Sequence, residues 1–395
     1  MSSRRAIPDI AIAGGGMIGA ACALALARKG FDIVLVEARE PAPWRMEDRE
    51  DLRVIALAPS SAKLLDEVAV WESVRDARVS PYACMHVWDA MSGAELHFDA
   101  AQEGRAELGW IVENKLLQWK IWQALDAARV RRVCPGELRD FEVRDDRVAL
   151  ELNEGEPLSA RMLVIADGAK STLRDKAGIA LRGHDYVQRA VVAHVVTERA
   201  HAATAWQCFL PGGPIALLPL RDGRSSIVWS LPEAEAQRVL SLDDQAFCEA
   251  VGFATDFRLG RITETTPRAS FPLRLQLAQT YASERYVLLG DAAHAVHPLA
   301  GQGANLGLRD VGELVSVLSE ARDANRDFAA AHVLQRYARR RRSADTLDAW
   351  SFDALSRTFA WRAPPLVALR GLGMRVVDVL GPVKRKLIAH AAGRG

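Results

Sequence analysis

The sequence predicts an α/β protein in which a parallel-sheet domain is interrupted by an antiparallel sheet and followed by a helical tail. The N-terminal residues alternate a buried strand, a glycine turn, an alanine- and leucine-rich helix and a second buried strand, which is typical of a β-α-β unit. Strand-like runs separated by Pro-Gly and Asp-Gly turns fill the middle of the chain, as in antiparallel sheets. A strand, a glycine-rich loop and a long helix return near residue 286, so the middle region is interpreted as an insertion.

The composition agrees with a globular protein large enough for two packed domains. The 395 residues include 49% hydrophobic and 26% charged residues, and the net charge of +1 gives no electrostatic reason to expect nucleic acid. The five cysteines are scattered and contain no Cys-x-x-Cys pair, which disfavours a disulfide framework or a zinc site. This pattern favours a reducing compartment, and we expect a cytoplasmic protein.

The N-terminal β-α-β unit begins with a strand at Ile10–Ala13 and a helix at Met17–Arg28, and a second strand is predicted at residues 31–36. Residues 10–27 carry no charge and follow two arginines, a pattern that also resembles a signal peptide or a short membrane span. Three glycines at positions 14–16 interrupt this run and the second strand follows, so the folded unit is favoured.

The turn after the first strand carries the pattern G-x-G-x-x-G, with its glycines at Gly14, Gly16 and Gly19. In such a turn the first glycine permits the tight bend, the second lets the backbone approach a pyrophosphate, and the third permits close packing of helix and strand. Glu37 ends the second strand and can bind ribose hydroxyls, and an acidic residue there argues against a 2′-phosphate. This context predicts a bound dinucleotide.

Further elements follow from apolar spacing and turn residues. A mostly buried helix is predicted at residues 113–128, and strands are predicted at 148–152 and 161–165. The later elements are strands at 190–196, 205–210, 215–220 and 225–231, a helix at 242–251, a strand at 286–289 and a helix from about residue 305. We expect a discontinuous nucleotide-binding domain (1–75, 105–180 and 280–345), a substrate-binding sheet domain (76–104 and 181–279) and a tail (346–395).

Two further motifs follow predicted strands. Residues 164–174 run from a buried strand into Asp167 and Gly168, although Asp-Gly after a strand, taken alone, usually marks only a turn. Residues 288–310 carry Asp291 at a strand end, then Gly301 and Gly303 before a helix. A carboxylate there can accept hydrogen bonds from ribitol or ribose hydroxyls, and the glycines let backbone N–H groups approach a flavin ring or pyrophosphate.

The three motifs, in this order and spacing, resemble those of the flavoprotein aromatic hydroxylases typified by para-hydroxybenzoate hydroxylase. The string His-Pro-Leu-Ala-Gly-Gln-Gly at residues 297–303, with Asn305, Gly307 and Asp310, is similar to the signature of the ubiquinone-biosynthesis hydroxylases. Residues 110–118 and 212–229 also resemble that group. The resemblance covers nearly the whole chain and looks nearest to members acting on the methylated, methoxylated ring.

The resemblance implies an FAD-dependent monooxygenase with a Rossmann-like FAD-binding domain, acting on the aromatic ring of a polyprenylated phenol or benzoquinol intermediate of ubiquinone biosynthesis. NADH or NADPH would reduce FAD, reduced flavin would take up O2, and a flavin C4a-hydroperoxide would deliver oxygen to an electron-rich ring carbon. Because only one G-x-G-x-x-G occurs, the reductant is expected to bind transiently at the flavin domain.

The resemblance also assigns cofactor-binding residues. The ADP half of FAD would be held by Gly14, Gly16, Gly19 and Glu37. Contacts nearer the flavin, ribitol or NAD(P)H are implied for Arg53, Gln118, Asp167, Asp291, Gly301, Gly303, Ala304 and Asn305. A solvated loop arginine and an exposed helix glutamine are the alternatives for Arg53 and Gln118. Ala166 replaces a common glycine, and Ala304 replaces an often larger apolar residue.

Candidate ring-pocket residues are apolar side chains of the predicted middle strands and one proline of the third motif: Trp206, Phe209, Leu218, Trp229 and Pro298. Core packing is the alternative for each of them. No catalytic acid or base is assigned, because in this group the substrate hydroxyl activates the ring. His294 and His297 have a spacing that suits one helix face, but no third ligand accompanies them and His297 precedes proline, so no metal site is predicted.

The tail from residue 361 onward is basic and amphipathic. It carries seven Lys or Arg residues against one acid, Asp378, and apolar residues recur at helical intervals at Leu366, Leu369, Leu372, Val376 and Leu380. This pattern favours binding to a membrane surface or to a ubiquinone-biosynthesis complex, and a helix that covers the protein's own core is the alternative. We expect the tail to hold the enzyme peripherally at the inner membrane or in such a complex.

Three other functions are compatible with parts of the pattern. A flavin hydroxylase of a soluble phenolic metabolite would carry the same motifs, and the basic tail argues modestly against it. A flavin-binding subunit that no longer turns over would also carry them. A plain NAD-dependent dehydrogenase is disfavoured by the second and third motifs. The sequence leaves the ring position, the prenyl length and the oligomeric state open.

Overall fold

The computed structural model describes residues 7–295 and 303–393, without the side chain of Phe352. The strands, in chain order, are β1 (Ile10–Ala13), β2 (Ile33–Val36), β3 (Val54–Leu57), β4 (Val79–Tyr82), β5 (Cys84–Asp89), β6 (Glu95–Asp99), β7 (Gly109–Glu113), β8 (Arg131–Val133), β9 (Leu138–Val143), β10 (Val148–Leu152), β11 (Leu158–Ala160), β12 (Met162–Ile165), β13 (Leu181–Thr197), β14 (Thr204–Phe209), β15 (Ile215–Pro219), β16 (Ser225–Pro232), β17 (Ile262–Thr265), β18 (Ala269–Ala278), β19 (Ala282–Ser283), β20 (Tyr286–Leu288) and β21 (His294–Ala295).

The α-helices, in chain order, are α1 (Met17–Arg28), α2 (Pro59–Glu67), α3 (Trp71–Arg75), α4 (Asn114–Ala127), α5 (Thr172–Lys176), α6 (Glu233–Ser241), α7 (Asp244–Ala254), α8 (Gly303–Asp323), α9 (Ala331–Ala360), α10 (Pro364–Val379) and α11 (Gly381–Ala391). Within residues 7–295 and 303–393, two 3-10 turns lie at Ala100–Glu103 and Gly290–Ala292. Among these described helices, none combines the length and apolar composition needed to cross a bilayer.

A six-stranded sheet with the order β19-β20-β12-β1-β2-β8 forms the centre of the first layer. All its neighbouring strands pair in parallel except β19, which is antiparallel to β20. The strands β1, β2 and β12 are buried along their whole length, which explains why they read as continuous apolar runs rather than alternating ones. Helix α1 packs between this sheet and the helices α4 and α8. The predicted N-terminal β-α-β unit is confirmed.

A nine-stranded, mostly antiparallel sheet forms the second layer. Its order is β21-β18-β13-β16-β15-β14-β5-β6, with β17 paired to β13. Strand β13 is much longer than predicted, because its first half pairs with β18 across a bulge between Asp185 and Gln188. Helix α6, which was not predicted, covers one face of the sheet together with α7. The predicted α/β class with an antiparallel sheet and a helical tail is confirmed.

A three-stranded sheet, β3-β7-β4, lies between these layers, and a second one, β11-β10-β9, flanks the first layer. The sheet β3-β7-β4 joins segments on both sides of the predicted boundary at residue 76. The predicted boundary at residue 346 falls inside the continuous helix α9. The domain limits drawn from the sequence therefore cross hydrogen-bonded elements at these two points.

The C-terminal helices are fixed to the second layer by a buried ion pair. Arg370 of α10 donates to both carboxylate oxygens of Asp89 at 2.8 and 2.9 Å, and its remaining nitrogen donates to the carbonyl oxygens at the end of α9. Burial alone would raise the pKa of Asp89, but the bonds from Arg370 lower it overall. Phe209 of β14 also stacks on Phe359 of α9, with ring centroids 3.9 Å apart.

Candidate cofactor and substrate site

The four neighbouring parallel strands β20, β12, β1 and β2 each end at a feature that the sequence analysis selected. They lead, in that order, to Asp291, to Asp167, to the glycine turn and to Glu37. Parallel strands have their carboxyl ends at the same edge of a sheet, where ligands of open α/β sheets bind. The three motifs and the acidic residue therefore meet at one edge, which is the candidate cofactor site.

Of the three glycines that define the motif, two leave no room for a side chain and the third is surrounded by open space. Gly14 has a φ of +98°, and a Cβ there would lie 2.4 Å from the carbonyl oxygen of Ala166. A Cβ on Gly19 would lie 1.9 Å from the carbonyl oxygen of Gly14. At Gly16, which precedes α1, no atom of the described chain lies within 4 Å of that position. The start of α1 is thus open to an anion at Gly16.

Glu37 is held at the end of β2 by main-chain N–H groups. Its carboxylate oxygens accept from Gly15 at 2.5 Å and from Arg39 at 3.0 Å. A Cβ on Gly15 would lie 2.8 Å from the Trp122 ring, so this variable position of the motif also requires glycine here. A carboxylate has about four acceptor positions, so Glu37 keeps capacity for sugar hydroxyls.

The Asp167 loop has an unsatisfied acceptor. Oδ1 of Asp167 is buried and has no hydrogen-bond partner among the described residues, and burial raises the pKa of this carboxyl. The next residue, Gly168, has a φ of +90°, and open space surrounds its would-be Cβ. Arg174 is buried and donates to the carbonyl oxygens of Ala169 and Ala292 at 3.2 and 3.3 Å. This arginine links the second motif to the third, a role that the sequence analysis missed.

Asp291 lies on the 3-10 turn after β20. Its side chain is exposed, yet the surrounding protein raises the pKa of its carboxyl by desolvation, as expected for a group at the wall of a concave site. The preceding Gly290 and the helical Gly307 both pack on Ile18 of α1, and a Cβ at either would come within 3.1 Å of that side chain. The first and third motifs are therefore in direct contact through Ile18.

A buried polar network stabilises the turn that carries Asp291. Asp310 of α8 accepts from the Gly290 N–H at 3.1 Å, from His294 Nε2 at 2.6 Å and from Arg341 Nε at 2.6 Å. Arg341 of α9 also donates to Asp345, and all these polar side chains are buried. Although burial opposes a charge on His294, the carboxylates of Asp310 and Asp345 raise its pKa to about 9. The guanidinium of Arg341 binds both carboxylates and supplies their fixed counter-charge.

Arg53 and Gln118 flank the same edge. Arg53 is exposed just before β3; its guanidinium lies 5.4 Å from the Phe271 ring centroid, and its charge lowers the pKa of Asp291. This lowering is smaller than the effect of burial. Gln118 is half-buried on α4, the helix that packs against α1. Arg53 is thus electrostatically coupled to the third motif, and Gln118 lies on a neighbouring helix.

At the start of α8, open space surrounds the backbone of Gly303, whereas the side chain of Asn305 is hydrogen-bonded to other residues of the protein. Gly303 and Ala304 are half-buried, and open space surrounds the would-be Cβ of Gly303. The Asn305 side chain is buried, accepts from Ala58 N and Ser61 Oγ at 2.8 Å, and donates to Ala56 O at 2.8 Å. Any cofactor contact by Asn305 would therefore use its main chain. Gly301 and Pro298 lie outside the described residues.

The four predicted pocket residues on the second sheet do not share one face. Trp206 and Trp229 pack with the cluster beneath α6 and α7. Leu218 lies on the opposite face, packed against Ala56 of β3, and Phe209 packs on that opposite face against the C-terminal helices. Successive residues of a strand alternate between faces, so one ring pocket cannot contain all four. The face bearing Leu218 packs against β3, and Ala56 of β3 accepts a hydrogen bond from Asn305 of the third motif.

Two polar residues on the face that carries Leu218 were missed by the sequence analysis. His194 and Ser226 are cross-strand partners, and Ser226 also pairs with Leu218. His194 Nε2 lies 3.2 Å from the carbonyl oxygen of Asp51 and donates to it, which leaves Nδ1 as an acceptor. Both Nδ1 and the Ser226 hydroxyl are buried without a partner among the described residues. Burial and the charge of Arg224 lower the pKa of His194, which keeps it neutral.

The sequence was compared with known families and proteins. A family described as "FAD binding domain" matches residues 8–347. The chain is 37% identical over 386 residues to the 3-demethoxyubiquinol 3-hydroxylase of Escherichia coli (strain K12), covering 98% of both chains. The chain belongs to the FAD-binding ubiquinone-biosynthesis hydroxylase family. Other members are similar along their length: the ubiquinone hydroxylase UbiL of Rhodospirillum rubrum, at 35% identity over 98% of this chain and 90% of that one, and the mitochondrial ubiquinone biosynthesis monooxygenase COQ6 of Mus musculus, at 33% over 99% and 92%.

Solved structures agree with the fold of this hydroxylase family. The p-nitrophenol 4-monooxygenase PnpA of Pseudomonas putida DLL-E4 superposes with a TM-score of 0.76, at 18% identity over 98% of both chains. HpxO of Klebsiella pneumoniae, solved with FAD and uric acid, gives a TM-score of 0.72 at 19% identity over 98% of this chain and 96% of that one. The predicted family, an FAD-dependent monooxygenase, is confirmed, and FAD is its cofactor.

The residues at the sheet edge fit FAD. Open space at Gly16 and Gly303 lets a pyrophosphate or a flavin ring approach two helix starts, and Glu37 and Asp291 offer acceptors for sugar and ribitol hydroxyls. The unpartnered Oδ1 of Asp167 is a further acceptor at the same edge. The individual roles of these residues stay predictions, because their placement beside the cofactor rests on this fit.

Proposed function

We propose that this hydroxylase acts on the aromatic ring of a polyprenylated phenol or benzoquinol intermediate of ubiquinone biosynthesis, with NAD(P)H and O2. The observation that carries the proposal is the convergence of all three motifs and Glu37 on one edge of the parallel sheet. The similarity over nearly the whole chain to the 3-demethoxyubiquinol 3-hydroxylase of Escherichia coli supports this substrate class. The first layer would bind FAD and the second layer would cover the substrate.

FAD, when bound, supplies the two-electron reduction by NAD(P)H and the activation of O2. The chain's residues bind and orient it: Gly16 would admit the pyrophosphate, Glu37 would bind the ribose, and Asp291 the ribitol. The Asp310 network would keep the Asp291 turn in place through the Gly290 N–H. Arg53, whose charge lowers the pKa of Asp291, would stabilise negative charge near the flavin.

The substrate ring would lie between this edge and the second-sheet face that carries Leu218, His194 and Ser226. A neutral His194 accepts through Nδ1, and Ser226 can donate or accept, so both suit the hydroxyl groups of a phenol or quinol ring. The apolar neighbours Ala216, Leu218 and Val228 exclude water from the reacting ring. By excluding water, these side chains would favour hydroxylation of the substrate over the loss of reducing equivalents to O2 as hydrogen peroxide.

A genetic and a biochemical test address the proposal together. In an Escherichia coli strain lacking its 3-demethoxyubiquinol 3-hydroxylase, expression of this chain should restore ubiquinone, measured by mass spectrometry of quinone extracts. The purified holoprotein should oxidise NAD(P)H in a reaction coupled to a hydroxylated quinol analogue. Restoration by wild-type protein but not by Asp291→Ala supports the proposal. Uncoupled oxidation alone, or hydroxylation only of water-soluble phenols, would overturn it.

We propose that the C-terminal helices place the enzyme on an anionic lipid surface. The apolar residues of α10 that recur at helical intervals point outward: Leu369, Leu372 and Val379 are 63%, 59% and 83% exposed. The buried face of α10 uses Val367, Arg370 and Met374 instead. An exposed apolar row of this kind is typical of helices that lie in a membrane interface.

Free cations border this apolar row. Arg370 and Lys384 of the tail are paired with Asp89 and Asp378, but the other described basic residues have no ion-pair partner among the described residues: Arg362, Arg375, Arg385 and Lys386. Each basic residue close to an anionic bilayer contributes about 1 kcal/mol to binding. A lipid surface also suits a substrate that carries a polyprenyl chain.

Vesicle flotation tests the lipid proposal. The holoprotein should float with phosphatidylglycerol vesicles, and less with phosphatidylcholine vesicles or at high salt. The double variant Leu369→Glu/Leu372→Glu should stay in the soluble fraction, whereas Phe253→Glu, which changes an apolar residue of α7 that is 74% exposed, should float like wild type. Equal flotation of both variants, or no flotation of wild-type protein, would refute the lipid proposal and favour a protein partner.

A further inference from the structure

Three side chains that the flavin chemistry does not use lie together on the outer hairpin of the second sheet. His86 of β5 and His97 of β6 are direct cross-strand partners, and Glu95 lies two residues before His97 on the same face. Glu95 Oε2 is 2.9 Å from His86 Nε2 and 3.6 Å from His97 Nε2. One potential ligand atom from each residue lies within 4.8 Å of the other two.

These separations match the coordination shell of a small ion. Zinc binds imidazole nitrogen and carboxylate oxygen at about 2.0–2.2 Å, so tetrahedral ligands are roughly 3.3–3.5 Å apart. The two distances, 2.9 and 3.6 Å, differ from that spacing by a few tenths of an ångström. Two histidines and one carboxylate would leave a fourth position for water. The hairpin therefore presents three ligands in a nearly preformed arrangement.

The surrounding residues orient each ligand. Arg258 donates to Glu95 Oε1 at 2.6 Å, which directs Oε2 toward both imidazoles. Asp378 of α10 accepts from the His97 main-chain N–H at 3.0 Å, and its other oxygen is 4.0 Å from His97 Nδ1. Carboxylates behind the second ring nitrogen are the usual support of a metal-bound histidine. His86 packs beside Trp206, with ring centroids 4.8 Å apart, which fixes its ring from the third side.

The ligand types also indicate which metal ion would bind. Two imidazoles with one carboxylate favour borderline ions such as Zn2+ over Mg2+ or Ca2+, which prefer all-oxygen shells.

We propose that His86, Glu95 and His97 form a binding site for one Zn2+ ion or a similar transition-metal ion, separate from the flavin site. The ion would connect the hairpin β5–β6 to the C-terminal helix α10, because Asp378 of that helix accepts from the His97 main-chain N–H and lies near its imidazole. It would strengthen the attachment of the tail at a second point beyond the Asp89–Arg370 pair. The inference is independent of which aromatic substrate the enzyme hydroxylates.

Calorimetric titration with ZnCl2 tests the site. The full-length holoprotein, without a polyhistidine tag and stripped with chelator, should bind one Zn2+ per chain, confirmed by elemental analysis after gel filtration, and should not bind Mg2+. His97→Gln should abolish this binding, and Asp378→Asn should weaken it about 10- to 100-fold, as outer-sphere changes do. His332→Gln, at an exposed histidine of α9, should bind like wild type.

A second readout identifies the ligands. Cu2+ added to the wild-type protein should show nitrogen couplings from two imidazoles in its electron paramagnetic resonance spectrum, and His97→Gln should show one fewer. Flavin absorbance should be unchanged in every variant, because the hairpin lies outside the cofactor edge; this separates failure of the metal site from failure of the fold. Absence of saturable Zn2+ binding, or equal binding by His97→Gln and His332→Gln, would show that the cluster is only a hydrogen-bonded histidine–glutamate pair.

Discussion

The motif-bearing edge of the six-stranded sheet and the C-terminal helices both depend on a buried aspartate–arginine pair, but their apolar side chains point in opposite directions. At the first region, Asp310 binds Arg341 and His294, and the leucines of α1 are buried. At the second, Asp89 binds Arg370, and the leucines of α10 face outward. Apolar residues at helical spacing thus build the core in one region and a free surface in the other, while an ion pair fixes each backbone.

The largest effect is expected from Asp310→Ala in the first region. Removing this carboxylate leaves two buried cations, Arg341 and His294, without their common partner. We expect the free energy of unfolding to fall by about 5 kcal/mol, the upper end for breaking a buried pair. The purified variant should also lose bound FAD, because the Gly290 N–H loses its acceptor. Urea unfolding and flavin absorbance measure both effects.

The matched control for this prediction is Glu313→Ala, on the same helix. Glu313 pairs with Arg340 at 2.7 Å in a partly exposed position, so its loss should cost less than about 1 kcal/mol. A variant at Asp310 that is as yellow and as stable as the one at Glu313 would show that the network does not support the cofactor edge.

In the second region, Arg370→Met should destabilise the attachment of the tail and leave FAD in place. Asp89 keeps bonds from Ser92 Oγ at 2.6 Å and from the Met91 N–H at 3.3 Å, so we expect about 3 kcal/mol, the lower end of the same range. Limited proteolysis should cut the tail of this variant first, with flavin absorbance unchanged. The exposed Arg375→Met on the same helix should resist like wild type. Simultaneous loss of FAD would show that the two regions are energetically coupled.

The two regions should also differ in their response to pH. The pKa of His294 is about 9 in the folded protein and about 6.5 when unfolded, so its stabilising effect is complete below pH 6.5 and is lost as the pH rises through 9. We expect the free energy of unfolding to be about 2 kcal/mol lower at pH 9.5 than at pH 6.5. This is less than the full effect of the shift in the pKa of His294, because His294 and Asp345 influence each other's protonation. His294→Gln should show a flatter pH dependence over that window; equal slopes would exclude His294 as the cause.

The pH dependence of the Asp89–Arg370 pair has the opposite sign. The pKa of Asp89 is lowered in the folded protein, so its contribution is present above the ordinary aspartate pKa and is lost only as the pH falls below it. Release of the tail is therefore expected in acid, where His294 remains charged. Proteolysis of the tail at successive pH values, beside flavin absorbance, separates the two transitions.

Sequence patterns predicted the first region well because its signals are local. The four short apolar runs form β1, β2, β12 and β20. A glycine-bearing turn follows β1, β12 and β20, Glu37 follows β2, and α1 has the predicted limits. The Asp310 network was missed, because Arg341 and Asp345 come from α9, a helix with no motif. The buried Asn305 shows a similar limit, since its partners in residues 56–61 are remote in sequence.

Prediction was weaker in the second layer because pairing between distant strands determines which face a side chain occupies. The polar first half of β13 gives no strand signal and is ordered by β18. Helix α6 was missed because only Ala236 and Val239 of its residues are buried. The strand period of two already separates Trp206 from Phe209, three positions apart, so that signal could have corrected the predicted ring pocket.

The smallest effect is expected from Leu372→Ala in the tail, and it tests the comparison most directly. Leu372 is 59% exposed, so this change should alter the free energy of unfolding by less than about 0.5 kcal/mol. The same change at the buried Leu24 of α1 should cost about 2–5 kcal/mol, because it removes packed methyl groups and leaves a cavity. Urea unfolding of both variants gives the contrast. A large loss at Leu372 would mean that the outward row packs against protein in solution, through self-association or a moved tail, and that the second region is built like the first.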